Sequence, residues 1–244
     1  MKILLEICAG SITSALNAQE GGADRIELCS ALPLGGLTPG CGTIEETKRL
    51  LSIPVYVLIR PREGDFTYSD QELKVICRDI DAAKELGADG IVCGALDRDG
   101  NIDHKAVEKM IKTSQGLPFT FHRAFDLCRD PFETIHILME MGVNTLLTSG
   151  QAPTAKDGAG LIKELISLAQ PKGLTVMPGS GLLASNIAEV AGATGAVAVH
   201  LSAKKRVAGA MAESIYDQTD VAEVRSCRTA LNSIINTGSN GIIT

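Results

Sequence analysis

Short runs of β-branched and apolar residues alternate along the chain with stretches that carry helix signals. Each run is four to six residues long, the length of one buried strand, and a helical stretch follows it. Because strand and helix alternate throughout, the pattern predicts an α/β protein with a parallel sheet. The eight predicted strands are Ile3–Cys8, Arg25–Cys29, Val55–Arg60, Gly90–Ala95, Phe119–Arg123, Thr145–Ser149, Leu174–Met177 and Ala196–Leu201.

Three of the predicted helices have recognisable start signals. In two of them a Thr or Ser stands three residues before a Glu, which is the spacing of a capping box. In the third, an Asp precedes a Pro that can occupy the first helical position. The three pairs are Thr43 with Glu46, Ser69 with Glu72, and Asp130 with Pro131.

A short glycine motif recurs directly before every second strand. Glycine there can take the left-handed conformation that ends a helix, and the motifs lie 50 to 65 residues apart. This repeat predicts a single TIM-type (β/α)8 barrel, a fold of about 250 residues. A doubly wound open sheet is the alternative, but no early strand is followed by the G-x-G-x-x-G motif that would favour it. The motifs are Gly22–Asp24, Gly87–Asp89, Gly142–Asn144 and Gly192–Thr194.

The domain organisation follows from the same pattern. We expect one barrel domain over residues 1–235 and a flexible polar tail over residues 236–244. The basic cluster Lys204–Arg206 is expected to solvate a loop, with contact to an anionic ligand as the alternative.

Composition narrows the class of protein. Hydrophobic residues make up 45% of the 244 positions, which is enough for a sizeable core, and the net charge of -6 argues against sequence-independent nucleic-acid binding. No apolar run approaches the roughly 20 residues that span a bilayer, so we expect no membrane partner. The seven cysteines lack the spacing of a disulfide framework. We therefore expect reduced thiols and a cytoplasmic location.

Charged and titratable residues fall inside the predicted strands, and four of them are candidates for the inner face of the barrel. Both faces of a barrel strand are buried, and the face toward the helices offers only apolar packing. We expect these side chains to point into the barrel near its mouth, where other charges and water can meet them. They are Glu6, Glu27, Arg60 and His122.

The same register turns two cysteines inward. Side chains alternate along a strand, so an inward Glu6 makes Cys8 inward and an inward Glu27 makes Cys29 inward. Adjacent strands lie about 4.8 Å apart, so the two thiols could share a soft metal ion, for which Cu(I) suits best. The alternative is that both thiols serve only as small buried hydrophobes.

Several residues near the strand ends are candidates for binding an anion. Arg60 and Arg62 could fork onto a carboxylate or phosphate, although Arg60 could equally neutralise Glu27 on the neighbouring strand. Glycine-rich turns follow the sixth and seventh strands. The glycines there either expose backbone amides that bind an anion or only allow the chain to turn tightly. The candidates besides Arg60 are Arg62, Arg123, Ser149, Gly150, Gly179, Ser180 and Gly181.

His122 is the main candidate for acid–base catalysis. It lies at the carboxyl end of the fifth strand, where barrel enzymes place catalytic residues, and a satisfied core histidine is the alternative. Glu27 and Arg60 complete the catalytic candidates. His200, late in the eighth strand, has a weaker claim.

Six motifs follow one another from the first predicted strand to the turn after the sixth: Leu5–Cys8, Gly22–Cys29, Gly35–Pro39, Ile59–Arg62, Phe121–Asp126 and Leu147–Gly150. Together they resemble the CutC family of copper homeostasis proteins, from the first strand to about Ser202. The resemblance implies a TIM-type barrel, a cytoplasmic location, self-association as a dimer or tetramer, and a Cu(I) site at Cys8 and Cys29. Departures lie in loops and after Ser202.

Two functions are therefore predicted side by side. The first is copper handling, in which Cys8 and Cys29 bind Cu(I) as thiolates. The second is an enzyme acting on a small anionic or phosphorylated metabolite, with Arg60 and the glycine turns binding the anion. In that case His122 or Glu27 would transfer protons.

Overall fold

Eight parallel strands form the centre of the fold in the computed structural model, which describes residues 2–211 and 214–238. The strands pair in the order β7-β6-β5-β4-β3-β2-β1-β8, and a bridge between Gly179 and His200 brings β7 against β8. The predicted (β/α)8 barrel is confirmed. The strands are β1 Leu4–Ala9, β2 Arg25–Leu28, β3 Val55–Leu58, β4 Gly90–Cys93, β5 Phe119–Phe121, β6 Thr145–Thr148, β7 Thr175–Pro178 and β8 Ala198–Leu201.

An outer ring of helices covers the sheet. The main core lies between the two layers and consists mostly of Ile, Leu, Val and Ala side chains. None of the described helices has the length and apolar character needed to cross a membrane. The helices are α1 Ile12–Gly21, α2 Cys41–Leu50, α3 Asp70–Glu85, α4 His104–Thr113, α5 Pro131–Glu140, α6 Ala159–Ala169, α7 Ile187–Thr194 and α8 Val221–Gly238.

The helix start signals are confirmed in two places and wrong in one. Ser69 and Glu72 form the expected capping box of α3, and the side chain of Asp130 accepts from two backbone N–H groups at the start of α5. Helix α2 instead begins at Cys41 after Gly40, so Thr43 lies inside the helix and cannot cap it.

Three of the four predicted helix-ending glycines are confirmed, and the fourth is misplaced. Gly22, Gly87 and Gly142 all have positive φ, as predicted. The fourth motif is misplaced by one turn, because Gly192 lies inside α7 and Gly195, with φ of 76°, ends that helix. A helix can run through a glycine when another glycine three residues later offers the left-handed conformation.

An antiparallel hairpin lies between β8 and α8, formed by β9 Lys204–Ala208 and β10 Ile215–Thr219. The expectation of a loop at Lys204–Arg206 is wrong, because these residues belong to β9. Their charges pair with Asp217 and Asp220 across and beyond the hairpin. The predicted tail lies partly in α8, which extends to Gly238, and its remaining residues 239–244 lie outside the described residues.

Candidate functional site

A cavity of about 510 Å³ opens at the carboxyl ends of the barrel strands. Residues at or just after the ends of every strand except β4 contribute to its walls, together with the loops that follow β2, β3, β7 and β8. Small-molecule sites in proteins commonly have volumes of about 300 to 1,000 Å³ and lie at this end of a TIM barrel. The cavity is therefore the candidate functional site.

The two predicted metal-ligating thiols meet at the floor of this cavity. Cys8 lies near the end of β1 and Cys29 directly follows β2, and their Sγ atoms are 3.5 Å apart. Both residues are buried, and Cys8 lines the cavity while Cys29 lies behind it. The inward register predicted for the first two strands therefore brings the thiols together.

Cys8 is held as a protonated thiol. Its Sγ donates to Glu27 Oε1 at 3.3 Å, because the strand register places these two residues side by side. The hydrogen bond with Cys29, burial and the nearby Glu27 carboxylate raise the pKa of the Cys8 thiol well above its usual range. A metal ion would have to displace this proton.

A buried charge network lies beside the thiols. Glu6 accepts a hydrogen bond from Arg25 Nε, and its other oxygen lies 2.7 Å from His200 Nδ1. Burial raises the pKa of Glu6, but the His200 hydrogen bond and the Arg25 charge outweigh it and lower that pKa overall. Burial disfavours the charged, protonated form of His200, yet the charge of Glu27 and the contact with Glu6 outweigh this and raise the pKa of the imidazole.

Two residues of this network, His200 and Arg25, were not among the site residues predicted from the sequence. His200 pairs in register with Glu6 across the β1–β8 contact that closes the barrel, and Arg25 lies two residues before Glu27 on the same strand face. The alternation that turned Glu27 inward also turns Arg25 inward, so this signal was present. Cys8, Glu27 and His200 each offer a ligand atom within 4.8 Å of the other two.

Arg60 reaches the cavity from the end of β3. Its guanidinium donates to the backbone oxygens of Leu34, Gly36 and Gly64 and lies 4.8 Å from the centre of the Phe66 ring. The alternative that Arg60 neutralises Glu27 is not observed, because Arg60 forms no ion pair within the part of the chain that the structure describes.

His122 is a buried neutral imidazole on the cavity wall. The fifth strand was predicted to run to Arg123, but β5 ends at Phe121, so His122 follows the strand. The Nδ1 atom of His122 accepts from the backbone N–H of Ala124 and caps a short 3-10 helix. Its ring packs against Phe66, with centroids 4.7 Å apart. Burial and the positive charge of Arg60 lower the pKa of His122 to about 3.

The remaining anion-binding candidates divide into two groups. Arg123, Ser180 and Gly181 line the cavity, although Arg123 is ion-paired with Asp126. The other four candidates do not line the cavity. Arg62 pairs with Glu72 and Asp65. The last three are Ser149, Gly150 and Gly179.

Asp126 explains why the turn after β6 differs from the expected anion site. Its carboxylate accepts from the backbone N–H and the hydroxyl of Ser149, while the Gly150 N–H donates to Thr148 Oγ1. A ligand anion at this turn would have to displace the protein's own carboxylate.

Sequence comparison identifies similar proteins over most of the chain. The family model described as the CutC family matches residues 3–205. A Homo sapiens protein named copper homeostasis protein cutC homolog is 46% identical over 201 residues, covering 82% of this chain and 73% of its own length. A CutC family protein of Bacteroides thetaiotaomicron is 44% identical over 207 residues, covering 84% and 83% of the two chains.

Solved structures give the same picture of the fold. The crystal structure of a protein described as CutC from Streptococcus agalactiae has a TM-score of 0.78 and 35% identity, covering 82% of this chain and 98% of that one. N-(5'-phosphoribosyl)anthranilate isomerase from Pyrococcus furiosus has a TM-score of 0.57 and 15% identity, covering 95% and 99%. At that identity the likeness concerns the fold alone.

Proposed function

Because this chain belongs to the CutC family, we propose that it handles copper by binding Cu(I) through Cys8 and Cys29 at the floor of the barrel mouth. The observation that carries this proposal is the 3.5 Å separation of the two Sγ atoms. Thiolate–metal bonds are about 2.3 Å long for zinc, so one ion of similar size can contact both sulfurs. Copper is the cargo in this proposal and is taken up from the cavity side.

The chemistry of the donor set supports a soft ion. Thiolates select Cu(I), imidazole also suits copper, and His200 lies close enough to add a nitrogen ligand beside Cys8. Glu27, which now accepts from the Cys8 thiol, offers a nearby carboxylate that can receive the displaced proton. Burial raises the pKa of Glu27, which makes it a better proton acceptor than an exposed carboxylate.

Anaerobic titration with Cu(I) against a competing chelator tests this function. The double variant Cys8→Ser, Cys29→Ser should bind Cu(I) at least about a hundredfold more weakly, since even outer partners of metal ligands change affinity by 10- to 100-fold. The matched control is Cys41→Ser, Cys77→Ser, which removes two thiols that do not line the cavity. Equal affinity in the wild type and the Cys8, Cys29 variant would remove these thiols from the role.

We also propose that the protein is located in the cytoplasm. All seven cysteines are free, which supports a reducing environment such as the cytoplasm, where copper is available as Cu(I). The self-association implied by the family resemblance stays a prediction, and light scattering of the purified chain tests it.

As a second function, we propose that the same cavity binds and acts on a small anionic metabolite. The observation in its favour is the buried guanidinium of Arg60, which has no carboxylate partner among the described residues, although buried charges are normally paired. Thermal-shift screening with phosphorylated and carboxylated metabolites tests this function, because a ligand of the native state raises stability. A screen without any stabilising anion would contradict it.

A further inference from the structure

Buried polar atoms without a hydrogen-bond partner are concentrated around one cavity. Within the described residues, six buried side-chain nitrogen or oxygen atoms lack a partner, and three of these belong to residues that line the cavity. They are Glu27 Oε2, Arg60 Nε and His122 Nε2. Native proteins rarely leave such atoms unpaired, so their clustering points to a ligand that pairs with them.

His122 can offer this ligand only one kind of contact. Its Nδ1 already accepts from the Ala124 N–H at 3.3 Å, so in the neutral ring the proton is on Nε2. The ring is buried except for its part of the cavity wall, it packs against Phe66, and Gly94 lies so close that a Cβ there would be 2.9 Å from Nδ1. His122 is therefore a fixed N–H donor, and the ligand atom facing it must be an acceptor such as a carbonyl or carboxylate oxygen.

Arg60 determines the charge of the ligand. The three backbone oxygens that hold its guanidinium orient it without cancelling its charge. A buried cation is unfavourable until an anion compensates it. Because Arg60 and His122 both pack against Phe66, one ligand group beside this ring can interact with both of them.

The remaining walls determine the rest of the ligand. Leu58, Leu147 and Leu182 face the cavity together with Phe66, so an inorganic anion alone would leave apolar surface in contact with water. Glu27 Oε2 is an unpaired acceptor that a hydroxyl or amino group of the ligand can satisfy. A second negative group beside Glu27 would be repelled.

From these contacts we infer that the cavity binds a small organic carboxylate with an apolar body and one hydroxyl or amino group. A carboxylate oxygen accepts from His122 Nε2–H, its charge is compensated by Arg60, and the hydroxyl or amino group donates to Glu27. This inference rests on the second proposed function and names its ligand class. It also assigns His122 a binding role as a donor, in place of proton transfer.

Ligand-observed NMR with a panel of small hydroxy and amino carboxylates tests the inference on the wild-type protein. Each compound is paired with its neutral primary amide, and a set of phosphate monoesters is screened in parallel. At least one carboxylate should bind at least tenfold more tightly than its amide, since hydrogen bonds to a charged group are stronger than those to a neutral group. This comparison needs no variant and so does not depend on how a variant folds.

Variants then assign the contacts of the carboxylate found in this way. Arg60→Gln and His122→Leu should each weaken its binding at least tenfold, and His122→Gln, which retains an N–H donor, should recover part of the loss. Arg78→Gln, which removes an exposed arginine on α3, is the control and should bind like the wild type.

The outcomes separate the inference from the function on which it rests. If phosphate monoesters bind and no carboxylate does, the ligand class is wrong while the second function stands. If neither class binds, both are overturned. Carboxylate binding that survives Arg60→Gln and His122→Leu unchanged would place the ligand elsewhere and overturn the assigned contacts.

Discussion

Replacing Arg25 with Met should lower the free energy of unfolding by about 3 to 5 kcal/mol, the usual effect of removing one partner from a buried ion pair. Glu6 is fully buried and receives hydrogen bonds only from Arg25 and His200 among the described residues. The guanidinium Cζ of Arg25 also lies 4.1 Å from the centre of the Tyr56 ring, and Met fills this space with an uncharged side chain, so the loss reports mainly on charge. Urea unfolding with linear extrapolation measures it.

A second substitution separates charge from packing. Adding Glu6→Gln to Arg25→Met should restore at least half of the lost stability, because a buried neutral amide needs no counter-charge and can still pair with His200. The matched control is Arg49→Met, which breaks an exposed pair with Glu46 and should have a far smaller effect. If Arg25→Met destabilised no more than Arg49→Met, Glu6 would not depend on Arg25 in the folded protein.

The barrel and the inward register could be predicted because both follow from local alternation. Period-two alternation placed Cys8 and Glu27 on the inner face, and in the structure they are hydrogen-bonded neighbours. The same alternation turns Arg25 inward, so its place in the network also follows from the strand pattern. A charged residue inside a barrel strand indicates that a partner or a ligand lies nearby, because burying an unpaired charge is unfavourable.

Other parts of the site depend on contacts between residues far apart in the sequence. His200 gains its role only because β8 pairs with β1, which places it beside Glu6. The partners of Arg60 are backbone oxygens of two loops, and no pattern of residue types marks a backbone oxygen as a ligand. The helix-ending Gly195 was missed for a different reason, since Gly192 and Gly195 both fit the local signal and only the length of α7 decides between them.

His122 should make the protein less stable in acid, and replacing it should remove that effect. The pKa of His122 is about 3 in the folded protein and about 6.5 in an unfolded chain. Between these values the unfolded chain gains a proton that the folded protein excludes, so the free energy of unfolding falls as the pH drops from about 6.5 toward 3. At pH 4.5 the expected loss from this one group is about 3 kcal/mol.

The measurement compares unfolding free energies at pH 7 and pH 4.5 in the wild type and in His122→Gln. Glutamine does not titrate, so the difference between the two pH values should be about 3 kcal/mol smaller in the variant, whatever the substitution itself costs at pH 7. His104→Gln, on the exposed start of α4, should keep the wild-type difference. An unchanged difference in His122→Gln would mean that His122 binds a proton in the folded protein, and its assignment as a permanently neutral donor to a ligand would then be wrong.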